Sequence, residues 1–174
     1  MSDERQVFVY IIDTSSIIDL FRLYPRDIFA ELWKNIDNLI AEKRLISHKY
    51  VFKELKKRSD NAFEWARERR KIFKRITKRQ LEIIREVVSR YPLLVHVGEE
   101  IDADPWLIAL ALEKEKQQQR LTQPAVKVIR ILTTEEKYKP NKINIPYVCQ
   151  EYKIEYTNLI GMIRKEGWKW ENKK

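Results

Sequence analysis

The sequence predicts an α/β domain built on a largely parallel sheet. Three observations carry that expectation. Residues 7–12, V-F-V-Y-I-I, form an unbroken apolar run of β-branched and aromatic types, as in a strand buried on both faces. Strand-like and helix-like segments then follow one another along the chain, the order that a parallel sheet with crossover helices requires. Only three glycines and six prolines occur in 174 residues, which disfavours a loop-rich all-β fold.

Each element has a local reason. The first strand is 7–12, and Asp13 ends it. Ser15 and Ser16 are placed to cap the next segment, I-I-D-L-F-R-L-Y, a short helix stopped by Pro25. From Asp27 onward, Ile28, Leu32, Ile36, Leu39 and Ile40 recur at helical spacing. L-I-S at 45–47 is a short strand, and Val51, Phe52 and Leu55 mark a helix beginning near His48. Residues 56–90 are densely charged, with Phe63, Trp65, Ile72 and Phe73 among the apolar positions, and predict two amphipathic helices parted near Thr77. D-P-W-L-I-A-L-A is a strong helix, V-K-V-I-R-I-L at 126–132 alternates as a strand, and I-P-Y-V-C-Q-E-Y is a helix. I-E-Y is a short strand, and N-L-I-G-M-I-R-K closes the chain as a helix. The organisation expected is one domain over residues 1–174, with 56–90 as a charged helical insertion within it.

Composition narrows the class. A net charge of +9 points to an anionic partner, nucleic acid first, against the plain alternative of solvated lysines. The single cysteine, Cys149, excludes an intrachain disulfide framework and suits a reducing cytoplasm. No apolar run reaches the roughly 18 residues of a membrane span, and the polar start, Met1–Gln6, makes a poor signal peptide. With only His48 and His96 as histidines, neither a zinc site nor a nucleophile–histidine pair has a credible spacing.

In a parallel sheet, ligands sit beyond the carboxyl ends of the strands, which is where Asp13 falls. Three further acids fall at comparable positions: Glu54 in the helix after the second strand, Asp104 opening the helix P-W-L-I-A-L-A, and Glu135 in the loop T-T-E-E after a late strand. Carboxylates gathered in one pocket raise each other's pKa unless a cation neutralises them, and hard oxygen donors favour Mg²⁺ or Mn²⁺. Each acid also has a structural explanation. Asp104 before Pro105 is an ordinary helix start. Asp102 competes with Asp104 and reads as a loop acid. Glu54 suits an exposed helical charge pair, and Glu135 and Glu136 suit a polar loop. Asp13 is hardest to explain this way, since an acid after six buried apolar residues needs a reason.

Taken together, these residues resemble the PIN-domain (VapC-like) family of nucleases. The carrying motifs are I-I-D-T-S-S-I-I-D, V-F-K-E-L with Glu54, D-P-W-L-I-A-L-A with Asp104, and I-L-T-T-E with Thr133 and Glu135. Their order and flanks agree over nearly the whole chain, and the details look closest to an uncharacterised PIN-like branch of bacterial and archaeal proteins. The resemblance implies a Rossmann-like three-layer sandwich and a metal-dependent endoribonuclease. Asp13, Glu54, Asp104 and Glu135 would surround Mg²⁺ or Mn²⁺, with Ser15 and Thr133 bracing the pocket. Hydrolysis in line at phosphorus would leave a 3′-hydroxyl and a 5′-phosphate. Partners so implied are RNA, a small antitoxin protein of a toxin–antitoxin pair, and a second copy in a homodimer. The alternatives are an RNA-processing nuclease and a catalytically silent scaffold binding RNA or protein. The fourth position departs from the family's usual Asp, and Glu136 is an alternative to Glu135.

Residues 56–90 also carry Arg67, Arg70, Lys71, Lys74 and Arg75. These are candidate RNA contacts, with Phe63, Trp65 and Phe73 between them available for base stacking. The equal alternative is that the aromatics are core and the charges a solvated helix face. A phosphoaspartate phosphatase, which also starts with a strand ending in Asp, needs a second Asp where Ser15 stands.

Overall fold

In the computed structural model, the opening apolar run lies at the centre of a five-stranded, all-parallel sheet of order β3-β2-β1-β4-β5. The structure describes residues 5–58, 60–95, 102–113 and 126–170. The strands are β1 (Arg5–Ile12), β2 (Leu45–His48), β3 (Phe73–Lys74), β4 (Val126–Thr133) and β5 (Glu155–Thr157). The helices are α1 (Thr14–Leu23), α2 (Ala30–Ala41), α3 (Lys49–Arg58), α4 (Asp60–Glu68), α5 (Lys78–Arg90), α6 (Asp104–Leu112), α7 (Ile145–Glu151) and α8 (Leu159–Lys165). The domain is therefore α/β, as the sequence predicts, and helices cover both faces of the sheet.

Register decides which side chains face which layer. Tyr10 pairs with Ile131, so Tyr10 and Arg130 lie on opposite faces. The Tyr10 hydroxyl donates to Glu166, just past α8, at 2.7 Å. The Arg130 guanidinium donates to the carbonyls of Leu110 and Glu113 at the end of α6. Tyr10, Ile11 and Ile12 are fully buried, as expected of a central parallel strand. α6 is apolar on all sides and buries Leu107, Ile108, Ala109 and Leu110 against β1, β2 and β4.

Three expectations need correcting. The segment 56–90 is not a purely helical insertion: Phe73–Lys74 forms β3 and pairs with Ser47–His48, so the segment supplies one edge of the sheet. Phe73 buries its ring there, which two helices alone would not require. Thr77 does separate two elements, as the N-cap of α5, in a capping box with Gln80. The second helix starts at Ala30, leaving Ile28 71% exposed and outside the core. Finally, Asp13 rather than Ser15 or Ser16 is the N-cap of α1. Residue 96 and most of the acidic run 98–102 lie outside the described residues. No helix among the described residues is long and apolar enough to cross a membrane.

Candidate active site

β1 is flanked by β2 on one side and β4 on the other, so the crossovers diverge at β1 and β4 and leave a crevice beyond their carboxyl ends. The residues that follow those two strands, Asp13 and Thr134–Glu136, meet there. A pocket of about 220 Å³ is lined by Asp13, Glu54, Asp102, Asp104 and Glu136, with Thr14, Ser15 and Arg58. Five carboxylates from four separate stretches of chain thus share one concavity.

Asp13 is the most constrained of them. It is 5% exposed. Its backbone N–H donates to the Thr133 carbonyl at 2.9 Å, continuing the pairing of β1 with β4. Its Oδ2 accepts from Ser15 Oγ at 2.7 Å and from Thr134 Oγ1 at 2.9 Å, while Oδ1 accepts from the Thr14 N–H. Burial pushes its pKa up, and these hydrogen bonds pull against that shift by favouring the charged form.

Glu54 comes from α3, one helical turn after buried Val51, which turns it inward. Its Oε2 accepts from the Thr14 hydroxyl, and its Oε1 accepts from the Ala103 N–H at 2.9 Å, tying α3 to the start of α6. Burial raises its pKa, and the charge of Asp13 adds to the rise. Asp104 is the first residue of α6, with its N–H donating to Asp102 Oδ1 at 3.1 Å. Its pKa is pushed up to about 9, first by burial and then by the charges of Asp13, Asp102, Glu136 and Glu54. With no cation present, this crowding favours the protonated form of the carboxyl.

Three rings, from the end of β2, from α3 and from α6, pack on one another. His48, Tyr50 and Trp106 have centroids 5.0–5.5 Å apart with planes within 24° of one another. Burial lowers the His48 pKa to about 4, so this imidazole is neutral and structural.

The structure brings Asp13, Glu54 and Asp104 together as the sequence predicts, and it seats Ser15 as the brace of Asp13. It changes two assignments. Glu136, not Glu135, lines the pocket. Glu135 Oε1 accepts from the Leu159 N–H at 2.9 Å and from Ser16 Oγ at 3.1 Å, so it fastens the start of α8 to α1. Thr134, not Thr133, braces Asp13, while the buried Thr133 hydroxyl has no hydrogen-bond partner. The reason is register. Ile12 pairs with Thr133, which places Thr134 level with Asp13. Asp102, which the sequence offers as a competitor of Asp104 and reads as a loop acid, lines the pocket together with Asp104, and so does Arg58, which as the last residue of a basic helix carries no distinguishing pattern.

The basic segment also resolves. Trp65 and Phe73 are 3% and 8% exposed, and Phe63 packs on Phe52 at 5.2 Å, so these aromatics are core and not a stacking ridge. Arg67 pairs with Glu64, and Arg70 lies over the Phe52 ring at 4.8 Å. Lys71 is exposed, and Lys74 and Arg75 line a different cleft.

The donor set fits a hard divalent cation in its chemistry: carboxylate oxygens alone, in a pocket whose charges repel each other. Among the described residues, no three ligand-type side chains stand ready-placed around one point. The oxygens of Asp13 and Glu54 are instead held by hydroxyls and backbone N–H groups, and an ion would have to draw them inward.

Comparison with known proteins identifies the family and carries no activity with it. No curated protein and no solved structure matches the chain significantly. Residues 10–170 match the model of one family, which spans every residue of the acid pocket, and the chain belongs to that family, DUF4411, described as a domain of unknown function.

Proposed function

We propose that this chain is a divalent-cation-dependent nuclease that hydrolyses RNA phosphodiester bonds in the cytoplasm, with Asp13, Glu54, Asp104 and Glu136 as its acids. One observation carries the reading: carboxylates from separate stretches of chain converge at the switch point of a parallel sheet, at a cost in mutual repulsion that folding alone does not require. Net charge of +9 on the whole chain, against this acidic pocket, suits a polyanionic substrate approached through a bound cation. Mg²⁺ or Mn²⁺ held by Asp13, Asp104 and Glu136 would activate water and neutralise the charge that builds up on the phosphate. Ser15 and Thr134 fix the orientation of the Asp13 carboxylate, and Glu54 anchors the first turn of α6 so that Asp104 faces it.

The test is cleavage of single-stranded and structured RNA by the purified protein with Mg²⁺ or Mn²⁺, with EDTA as the control. Asp13→Asn should lower the rate by about a hundredfold or more. Equal cleavage by Asp13→Asn and wild type would sink the assignment. A second reading, an RNA-binding scaffold without hydrolysis, draws on the lack of a ready-placed ligand group among the described residues. It requires RNA binding in EDTA and no cleavage with either cation.

A further inference from the structure

A second cleft, of about 960 Å³, shares no residue with the acid pocket. Lys74, Arg75, Arg79 and Arg130 line it, above an apolar floor that includes Ile46 and Leu110. The cations arrive from three elements. Lys74 ends β3, with Arg75 next to it, Arg79 lies in the first turn of α5, and Arg130 projects from β4.

Only one of these has a full structural explanation. Arg130 donates to the Leu110 and Glu113 carbonyls at 2.5 and 2.6 Å, where a cation suits the end of α6. Arg79 sits in the first turn of a helix that has no acid there, against the preference set by the helix dipole. Its ion pair with Glu82, at 2.7 Å, is between two exposed residues and holds it weakly. Lys74 and Arg75 enter no ion pair among the described residues. Among the described residues the one acid lining the cleft, Glu113, is engaged by Thr77 and by Gln80, the latter at 2.7 Å. Cations crowded over an apolar floor repel one another, and a bound polyanion relieves that repulsion.

We propose that this cleft binds phosphate groups of a nucleic-acid strand or a nucleotide. The acid pocket lies at the start of α6 and this cleft at its end, about 12 Å along the helix. The cleft is assigned independently of hydrolysis: it binds phosphate whether or not the acid pocket cleaves it.

The experiment is fluorescence anisotropy of the full chain in EDTA, where cleavage is suppressed, with two probes: a labelled single-stranded oligoribonucleotide and a fluorescent ATP analogue. Lys74→Glu with Arg75→Glu should weaken binding about tenfold or more, and the salt slope for the strand should shrink by about 1.4. Arg75→Ala with Arg79→Ala, both outside β3, should weaken binding in the same direction and guards against misfolding of the strand. Arg67→Glu with Lys71→Glu, outside the cleft, should change binding by less than about twofold. The tighter of the two probes names the source of the phosphate. The proposal is overturned if neither probe binds, or if substitutions outside the cleft weaken binding as much as those within it. Because no step depends on cleavage, an inactive acid pocket leaves this result readable.

Discussion

The Thr134 hydroxyl donates to Oδ2 of Asp13 at 2.9 Å, across a sequence separation of 121, while the hydroxyl of the adjacent Thr133 is buried without a partner. Two near-identical residues therefore have opposite expected outcomes. Thr134→Val removes a hydrogen bond to a buried carboxylate and should cost about 1.5–3 kcal/mol in denaturant unfolding. Thr133→Val removes an unsatisfied hydroxyl at nearly constant shape and should be neutral or stabilising by about 1 kcal/mol. A larger loss from Thr133→Val than from Thr134→Val would contradict the register drawn between β1 and β4.

Glu135 and Glu136 separate in the same way, by function. Glu136→Gln should abolish hydrolysis with little effect on the unfolding midpoint: the side chain lines the pocket, and the amide oxygen of Gln can still accept from the Ile145 N–H, as Glu136 Oε2 does at 3.1 Å. Glu135→Ala should lose about 1–3 kcal/mol of stability, since it leaves the Leu159 N–H and the Ser16 hydroxyl unpaired. It should retain activity at temperatures where it is folded. Rate and stability measured on both variants check this, and the reverse pattern would return the fourth position to Glu135.

Stability without cations should depend on pH through Asp104. Its carboxyl titrates at about 9 in the folded chain against 3.8 ordinarily. Between those values the folded state holds the extra proton, so this group's contribution to stability falls as pH rises from about 4 to about 9. Asp104→Asn removes that dependence. In EDTA its advantage over wild type should grow from pH 5 to pH 9 and reach about 2 kcal/mol or more. A gap that stays constant over this range would show that the acids do not crowd Asp104.

Glu166 joins the two ends of the described fold. Its Oε1 accepts from the Tyr10 hydroxyl at 2.7 Å and from Arg44, whose Nε also donates to the Phe8 carbonyl at 2.9 Å. Glu166→Ala leaves a partly buried arginine and a buried tyrosine hydroxyl without that partner. The expected cost is about 3 kcal/mol in urea unfolding, with no effect on RNA cleavage. A loss below about 0.5 kcal/mol would mean that solvent replaces the network.

Much of this was legible in the sequence, for identifiable reasons. β1 was readable because a strand buried on both faces cannot alternate. α6 was readable because a helix apolar all round announces its burial. Asp13 and Asp104 are legible because each sits where an apolar element begins or ends, and Glu54 because it lies in the helix that follows the second strand. What escaped depends on relations between distant segments. β3 is two residues long and has meaning only beside β2. The choice of Thr134 over Thr133 needs the pairing of Ile12 with Thr133, which no local pattern encodes. The choice of Glu136 over Glu135 depends on where the loop after β4 meets α7 and α8. The aromatics of 56–90 read equally well as core or as a ridge, because periodicity says which residues share a face and not what covers that face.

The order of the strands has a consequence for the chain as it leaves the ribosome. When residue 113 has emerged, Asp13, Glu54 and Asp104 all exist, but β4 has yet to be made. β4 pairs with β1 along its whole length and supplies both the brace of Asp13 and Glu136. The pocket thus stays open and incomplete until the last third of the protein is synthesised. A chain that ends before β4 would carry Asp13, Glu54 and Asp104 without the Thr134 hydroxyl and without Glu136, so the proposed site gains its last brace and its last acid only late in synthesis.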